Sequence, residues 1–289
     1  MLAFCPYFLL AFSILSLWIK RSILLSGSLF LLSFIMGLLT NSLTLLAIPS
    51  ILSLGVLFYF TFKESCPVWL RVGCGVLGSI LGGALGEQQM PGFNNLKVIS
   101  DVVLSHNAYP TTLYLNFDKG LVGLVILGFG WRFINQGLLT VKNMIQVIPI
   151  IFLTVLIIMT LAVALHGVEF DPKWTPFFWI WAFSNLIFTC IGEEAFFRGV
   201  IQNVLARTFL CFSQKSLLPN LLAIIGASVL FGLCHFYGGP QFVFLATLAG
   251  LFCGYSYYKT GRIEASILTH FTLNTIHFIG FTYPVLKQF

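Results

Sequence analysis

Residues 144–165 read MIQVIPIIFLTVLIIMTLAVAL, a run of 22 residues without a charged side chain. At about 1.5 Å per residue such a helix is roughly 33 Å long, enough to cross a hydrocarbon core about 30 Å thick. Further apolar runs lie on both sides of it, at residues 2–18, 23–39, 43–62, 68–85, 121–131, 176–191, 217–236, 242–258 and 263–284. By length, eight to ten of the whole set read as membrane segments; the run at 121–131 is short enough to be half-inserted. The fold class that follows is all-α, a polytopic transmembrane helix bundle. The run at the start of the chain lacks a basic leader and a small-residue cleavage site, so it is expected to be retained as a first span.

Composition agrees. The chain has 289 residues, 58% of them hydrophobic and 8% charged, with a mean hydropathy of +0.97. Soluble domains carry about a quarter charged residues, so water cannot cover this surface and lipid must. The net charge of +6 is no nucleic-acid footprint, because the basic residues sit singly or in pairs at the ends of apolar runs, where they set topology. Placing Lys20/Arg21, Lys63/Arg71, Arg132/Lys142, Arg207/Lys215 and Lys259/Arg262 on one side gives a consistent inside face. The seven cysteines are scattered without CxxC or zinc-ligand spacing and read as buried thiols with no disulfide framework, while a Glu/His/His zinc site assembled across helices stays sterically open. Gly78, Gly82 and Gly86 recur at i+4, the stripe by which membrane helices approach closely. Residues 87–119 hold the turn formers Pro91, Gly92, Asn94, Asn95 and Pro110 and read as an extramembrane loop with one short helix at 96–104. The chain is accordingly divided into N-terminal transmembrane helices with their loop, 1–143, and a C-terminal helix bundle, 144–289.

Ionisable groups inside apolar runs are expensive, and here they gather in the last third. Glu193-Glu194-Ala195-Phe196-Phe197-Arg198 ends the run at 176–191. Glu194 and Arg198 are i,i+4 and can pair on one face. Glu193 points about 100° away, with no cation near it in sequence, and is suited to exchanging a proton with water. Phe231 and His235, also i,i+4, set an aromatic ring beside an imidazole. His270 and Asn274 put two hydrogen-bond donors on one face, as an oxyanion hole requires; His277 flanks them. A structural ion pair, a hydrogen-bonded core histidine and an interhelical asparagine are the bland readings of each motif alone. Together they supply the parts for activating water and holding a tetrahedral oxyanion. Neither GxSxG nor HExxH occurs. Counted from Pro219 and Arg262, His235 and His270 fall about 24 Å and 12 Å from the inner side, and Glu193, counted from Arg207, about 21 Å. One site therefore requires staggered helices.

In this order the three motifs resemble EExxxR, FxxxH and HxxxN of the CAAX-protease and bacteriocin-processing (CPBP, or ABI) family, which includes the type II CAAX prenyl endopeptidases. The resemblance covers roughly residues 176–281. It implies an intramembrane glutamic endopeptidase that uses no metal or other cofactor. In it Glu193 and His235 activate the water and His270 and Asn274 form the oxyanion hole. Glu194, Arg198 and Phe231 are supporting residues. It further implies a peptide or membrane-protein substrate, the lipid bilayer as surroundings and a prokaryotic cell membrane as location; nothing in the sequence sets the oligomeric state. Two alternatives stay open: a non-catalytic partner-binding or bacteriocin-immunity protein on the same scaffold, and a proton-coupled transporter, since buried Glu and His also make proton relays.

Overall fold

The computed structural model describes residues 2–19, 23–135, 140–210 and 217–287; Lys20, Arg21 and Lys215 of the expected inside face, and Cys211, lie outside them. The described chain is helical almost throughout: α1 (Cys5–Ile19), α2 (Ile23–Leu39), α3 (Ile48–Phe62), α4 (Val68–Gly86), α5 (Phe117–Ile134), α6 (Val141–Ala164), α7 (Phe178–Ser184), α8 (Ile191–Glu194), α9 (Asn203–Leu210), α10 (Leu217–Leu233), α11 (Gly239–Thr260) and α12 (Ile263–Gly280). Among the described residues five helical stretches are long and apolar enough to cross a membrane, namely Leu2–Ile19, Leu45–Phe62, Val68–Gly86, Val141–Ala164 and Phe236–Thr260; Ile23–Leu39 and Leu217–Leu233 are shorter apolar helices. Residues 96–104 are not the expected helix. Leu96–Val102 (β1) pairs with Thr111–Leu115 (β2) in a two-stranded hairpin. Val98, Ile99 and Val102 are β-branched and favour the extended chain. The main-chain N–H of Asp101 and the Thr112 hydroxyl close the pair, the former donating to the latter at 3.2 Å.

The helices form two compact units. The first comprises Met1–Val98, Tyr114–Phe133 and Phe183–Phe196. Lipid offers a buried hydroxyl no partner, so α1 and α2 hydrogen-bond to each other. Ser13 Oγ donates to Ser26 O at 2.7 Å, Ser26 Oγ to Ser13 O at 3.0 Å, and Ser33 Oγ to Pro6 O at 2.6 Å. Gly78 of the α4 stripe accepts Leu57 and Phe58 of α3, and Gly82 accepts Phe196 and Val122, while Gly86 faces open space. The core of the unit is aromatic, with Tyr7 edge-on to both Phe117 and Phe188.

The second unit comprises Ile99–Leu113, Ile134–Ala182 and Phe197–Phe289. Helices α6, α11 and α12 share a core of Ile158, Met159, Ala162, Leu245 and Leu273. Helix α11 turns into α12 through Gly261 at φ +64°, a left-handed position that suits glycine. Beyond it lies a buried polar group: Arg262 Nε donates to Glu264 Oε2 at 3.0 Å, Asn203 donates to the Tyr257 hydroxyl at 2.6 Å, and the Ile263 N–H donates to Asn135 at 3.0 Å. At the other end of this unit, residues 165–177 and 281–287 knit together. Asp171 N donates to Gly280 O at 2.9 Å, Lys173 N to Ile279 O at 2.8 Å and Thr282 N to Glu169 O at 2.9 Å. Burial holds the Lys173 ammonium below the ordinary lysine range, outweighing the opposing pull of Asp171.

Helices α10 and α11 touch where Gly250 faces Ser228: a Cβ there would lie 3.0 Å from the Ser228 Cβ, whereas one at Gly83 on α4 would meet nothing. Gly250→Val is therefore expected to cost about 1–3 kcal/mol, as overpacking does, and Gly83→Val close to nothing. Thermal unfolding of the purified protein in detergent compares the two.

Candidate active site

The first motif sits on an unusual piece of backbone. Between Phe178 and Leu210 the winding widens twice to π-helix, at Asn185–Cys190 and Ala195–Gln202, and the short α-helical turn α8 between them carries Glu193 and Glu194. Such widened turns leave side chains out of the ordinary i,i+4 register and recur at functional sites.

Within the first unit, α5 crosses this turn at backbone distance. A Cβ on Gly192 would lie 2.8 Å from the Lys119 carbonyl oxygen, and one on Gly123 would lie 3.1 Å from the Gly192 Cα. Only glycine at position 192 lets the two backbones meet so closely, and the residue after it is Glu193. The consequence is an ion pair that the sequence reading did not anticipate: Lys119 Nζ donates to Glu193 Oε1 at 3.1 Å. Glu193 does have a cation beside it, contrary to what its sequence neighbours suggested, because the cation arrives from a helix 74 residues away. Lys119 is itself held in place. Its N–H donates to the buried Asp118 carboxylate at 2.9 Å, and the Asn95 amide donates to both oxygens of that carboxylate at 3.1 and 3.2 Å. The available signal was the placement of Asp118-Lys119 at the threshold of an apolar run, where charge is costly. Glu194, next to Glu193, is wholly buried.

Within the second unit, the other motifs assemble on one ring. Phe231 is buried, and its centroid lies 4.7 Å from that of His235 and 5.8 Å from that of His270, the latter edge-on at 89°. Phe197 meets the same ring edge-on at 5.0 Å, and the guanidinium carbon of the fully buried Arg198 lies 5.3 Å from its centroid. Phe231, near the end of α10 and four residues before His235, thus contacts both imidazoles although the two were counted at different distances along their helices. Helix α10 ends at this point. His235 Nδ1 lies 2.8 Å from the Phe231 carbonyl oxygen, and a carbonyl only accepts, so Nδ1 carries the proton. In the neutral ring Nε2 is then the basic nitrogen. His235 is half-buried, His270 buried and Asn274 half-buried one turn further along α12. His277 is engaged elsewhere, its Nε2 lying 3.1 Å from Thr282 O and its ring against Tyr283. Among the described residues no three His, Cys, Asp or Glu side chains are grouped to hold a metal ion.

A shared ring has a direct spectroscopic consequence. In a Phe231→Leu variant the imidazole NMR resonances of His235 and His270 should both move, since one ring current acts on both. A shift confined to one of them would contradict the arrangement.

Comparison with known proteins agrees with the motifs. Residues 174–276 match the family model described as type II CAAX prenyl endopeptidase Rce1-like, a segment that contains Glu193, Glu194, Arg198, Phe231, His235, His270 and Asn274. No curated protein and no solved structure matches the chain significantly. The chain is an integral, multi-pass membrane protein, and over residues 174–276 it is similar to the type II CAAX prenyl endopeptidase Rce1-like family.

Proposed function

We propose that this chain is an intramembrane endopeptidase in which Glu193 and His235 activate the attacking water. The observation that carries the reading is the meeting of His235 and His270, from different helices, on the Phe231 ring inside the segment matched by a protease family. The orientation of His235 supports it: with Nδ1 tied to a carbonyl, Nε2 is left to accept a proton.

On this reading water loses a proton to the Glu193 carboxylate, with His235 Nε2 orienting it and sharing the load. The hydroxide adds to the scissile carbonyl carbon, and the resulting oxyanion receives hydrogen bonds from His270 and the Asn274 amide. The C–N bond then breaks as the proton held by Glu193 passes to the departing amine, which regenerates the carboxylate. Lys119 orients that carboxylate from the side. Glu194 and Arg198 hold the glutamate-bearing helix. The metal-free mechanism rests on the resemblance to the CPBP family. The substrate is a peptide or membrane protein that reaches the site from the bilayer or from one membrane face.

Glu193→Gln and His235→Ala are expected to lower cleavage by about 10²- to 10⁴-fold, and His270→Ala or Asn274→Ala by about 10²- to 10³-fold, with the proteins still folded. Lys119→Met should lower turnover and Lys119→Arg restore it. The measurement is mass spectrometry of new peptide termini in membranes carrying the wild type or Glu193→Gln, followed by cleavage of the peptides so found in proteoliposomes. Cleavage that survives Glu193→Gln would exclude this mechanism. Wild-type membranes without new termini, in cells where Glu193→Gln leaves the phenotype unchanged, would favour a non-catalytic binding protein.

A further inference from the structure

The second unit carries an aromatic group that neither its core nor the proposed chemistry uses. Trp174 and Trp179 are 65% and 71% exposed, Phe170 is 75% exposed, and all three lie in or beside residues 165–177, which follow α6. The cluster is ordered, Trp174 and Trp179 meeting edge-on at 6.1 Å with Phe178 against both. Trp181, two residues on from Trp179, behaves in the opposite way. It is buried, stacks on Phe278 at 4.2 Å and donates its indole N–H to the Tyr283 hydroxyl at 2.9 Å. Burial was thus open to an indole in this stretch, yet two of the three turn outward.

Two features of the surroundings identify what they turn toward. Along α6, Ile145, Ile148, Phe152 and Leu156 form an exposed apolar stripe on a helix long and apolar enough to cross a bilayer, a surface suited to acyl chains. The tryptophans stand just past the end of that stripe, where the chain becomes polar at Glu169, Asp171 and Lys173. An indole is a large apolar body with one N–H donor, and it is most stable where hydrocarbon gives way to headgroups. We infer that Trp174 and Trp179, with Phe170, form an interfacial anchor that seats this end of the second unit at the headgroup level of a phospholipid bilayer.

The anchor sets a depth. Lys173 and Asp171 hydrogen-bond to the main chain at Ile279 and Gly280, so the last turn of α12 lies at the anchored level. Counting down α12 from Ile279, Asn274 is about 7 Å and His270 about 13 Å below it along the helix. A reaction depth of that size rests on the protease reading above; the anchor does not. On that reading the scissile bond must descend roughly 10 Å beneath the headgroups, which favours substrates with an apolar segment able to partition there.

The test is depth-dependent fluorescence quenching of the full chain in phosphatidylcholine vesicles whose acyl chains are brominated at shallow or deep carbons. Bromines at the shallow carbons should quench one component of the tryptophan emission most strongly. Trp174→Phe/Trp179→Phe, at exposed sites where the fold is not at stake, should remove that component. A tryptophan placed by Phe152→Trp, twelve residues before the end of α6 and so about 18 Å deeper, should instead be quenched best by the deep bromines. If the double variant leaves the shallow component intact, or if Trp174 and Trp179 are quenched best by the same deep bromines as Phe152→Trp, the anchor is overturned. Neither outcome requires catalysis, so shallow quenching in a protein that cleaves nothing would sink the protease reading while leaving the anchor standing.

Discussion

Inside a bilayer a polar side chain finds a hydrogen-bond partner only within the protein, and this constraint orders both units of the structure. Serine hydroxyls of α1 and α2 donate across the helix pair to each other's carbonyls. Arg262 and Glu264 neutralise each other at the turn into α12. Glu193 is met by an ammonium. Each arrangement spares a desolvation cost of several kcal/mol for an unsatisfied polar group in hydrocarbon. A bundle packed only by apolar side chains would have no comparable reason to prefer one helix register over another, since lipid tails are as apolar as leucine.

Close backbone approach is the second requirement, because short polar side chains reach across a helix pair only when the axes are near. Glycines provide it beside several of the candidate site residues. Gly192 and Gly123 let α5 and the α8 turn touch in the first unit, and the Lys119–Glu193 pair follows from that contact. In the second unit Gly250 and Gly232 bring α11 against α10, the helix that carries Phe231 and ends two residues before His235. Phe231 then turns proximity into orientation, since two imidazoles set against one ring have little freedom to rotate.

The histidine cluster around Phe231 and the inferred anchor both lie in the second unit. Its apolar stripe on α6, the outward tryptophans and the hydrogen-bonded end of α12 describe one boundary between hydrocarbon and headgroups. Polar side chains on α12 lie below that boundary, where they keep hydrogen-bonding capacity in a medium of low dielectric. Donors in such a setting act strongly on developing charge.

The order and nature of the segments were legible in the sequence, because the length of an uncharged run is a local property that the thickness of a bilayer selects. The three motifs were legible for the same reason: an ionisable residue within such a run is conspicuous wherever it occurs. What could not be read was whatever depends on a partner distant in the chain. Residues 96–102 carry side chains compatible with helix or strand, and it is the pairing with Thr111–Leu115 that makes them extended. The depths of His235 and His270, counted along isolated helices, disagree, yet tertiary packing sets Phe231 against both. Lys119 is separated from Glu193 by 74 residues, and only the glycine contact of α5 with the α8 turn brings the ammonium to the carboxylate. Sequence alone thus determines which groups are embedded in oil; the tertiary structure decides which of them meet, because partner choice depends on backbone approach and side-chain register that no single segment encodes.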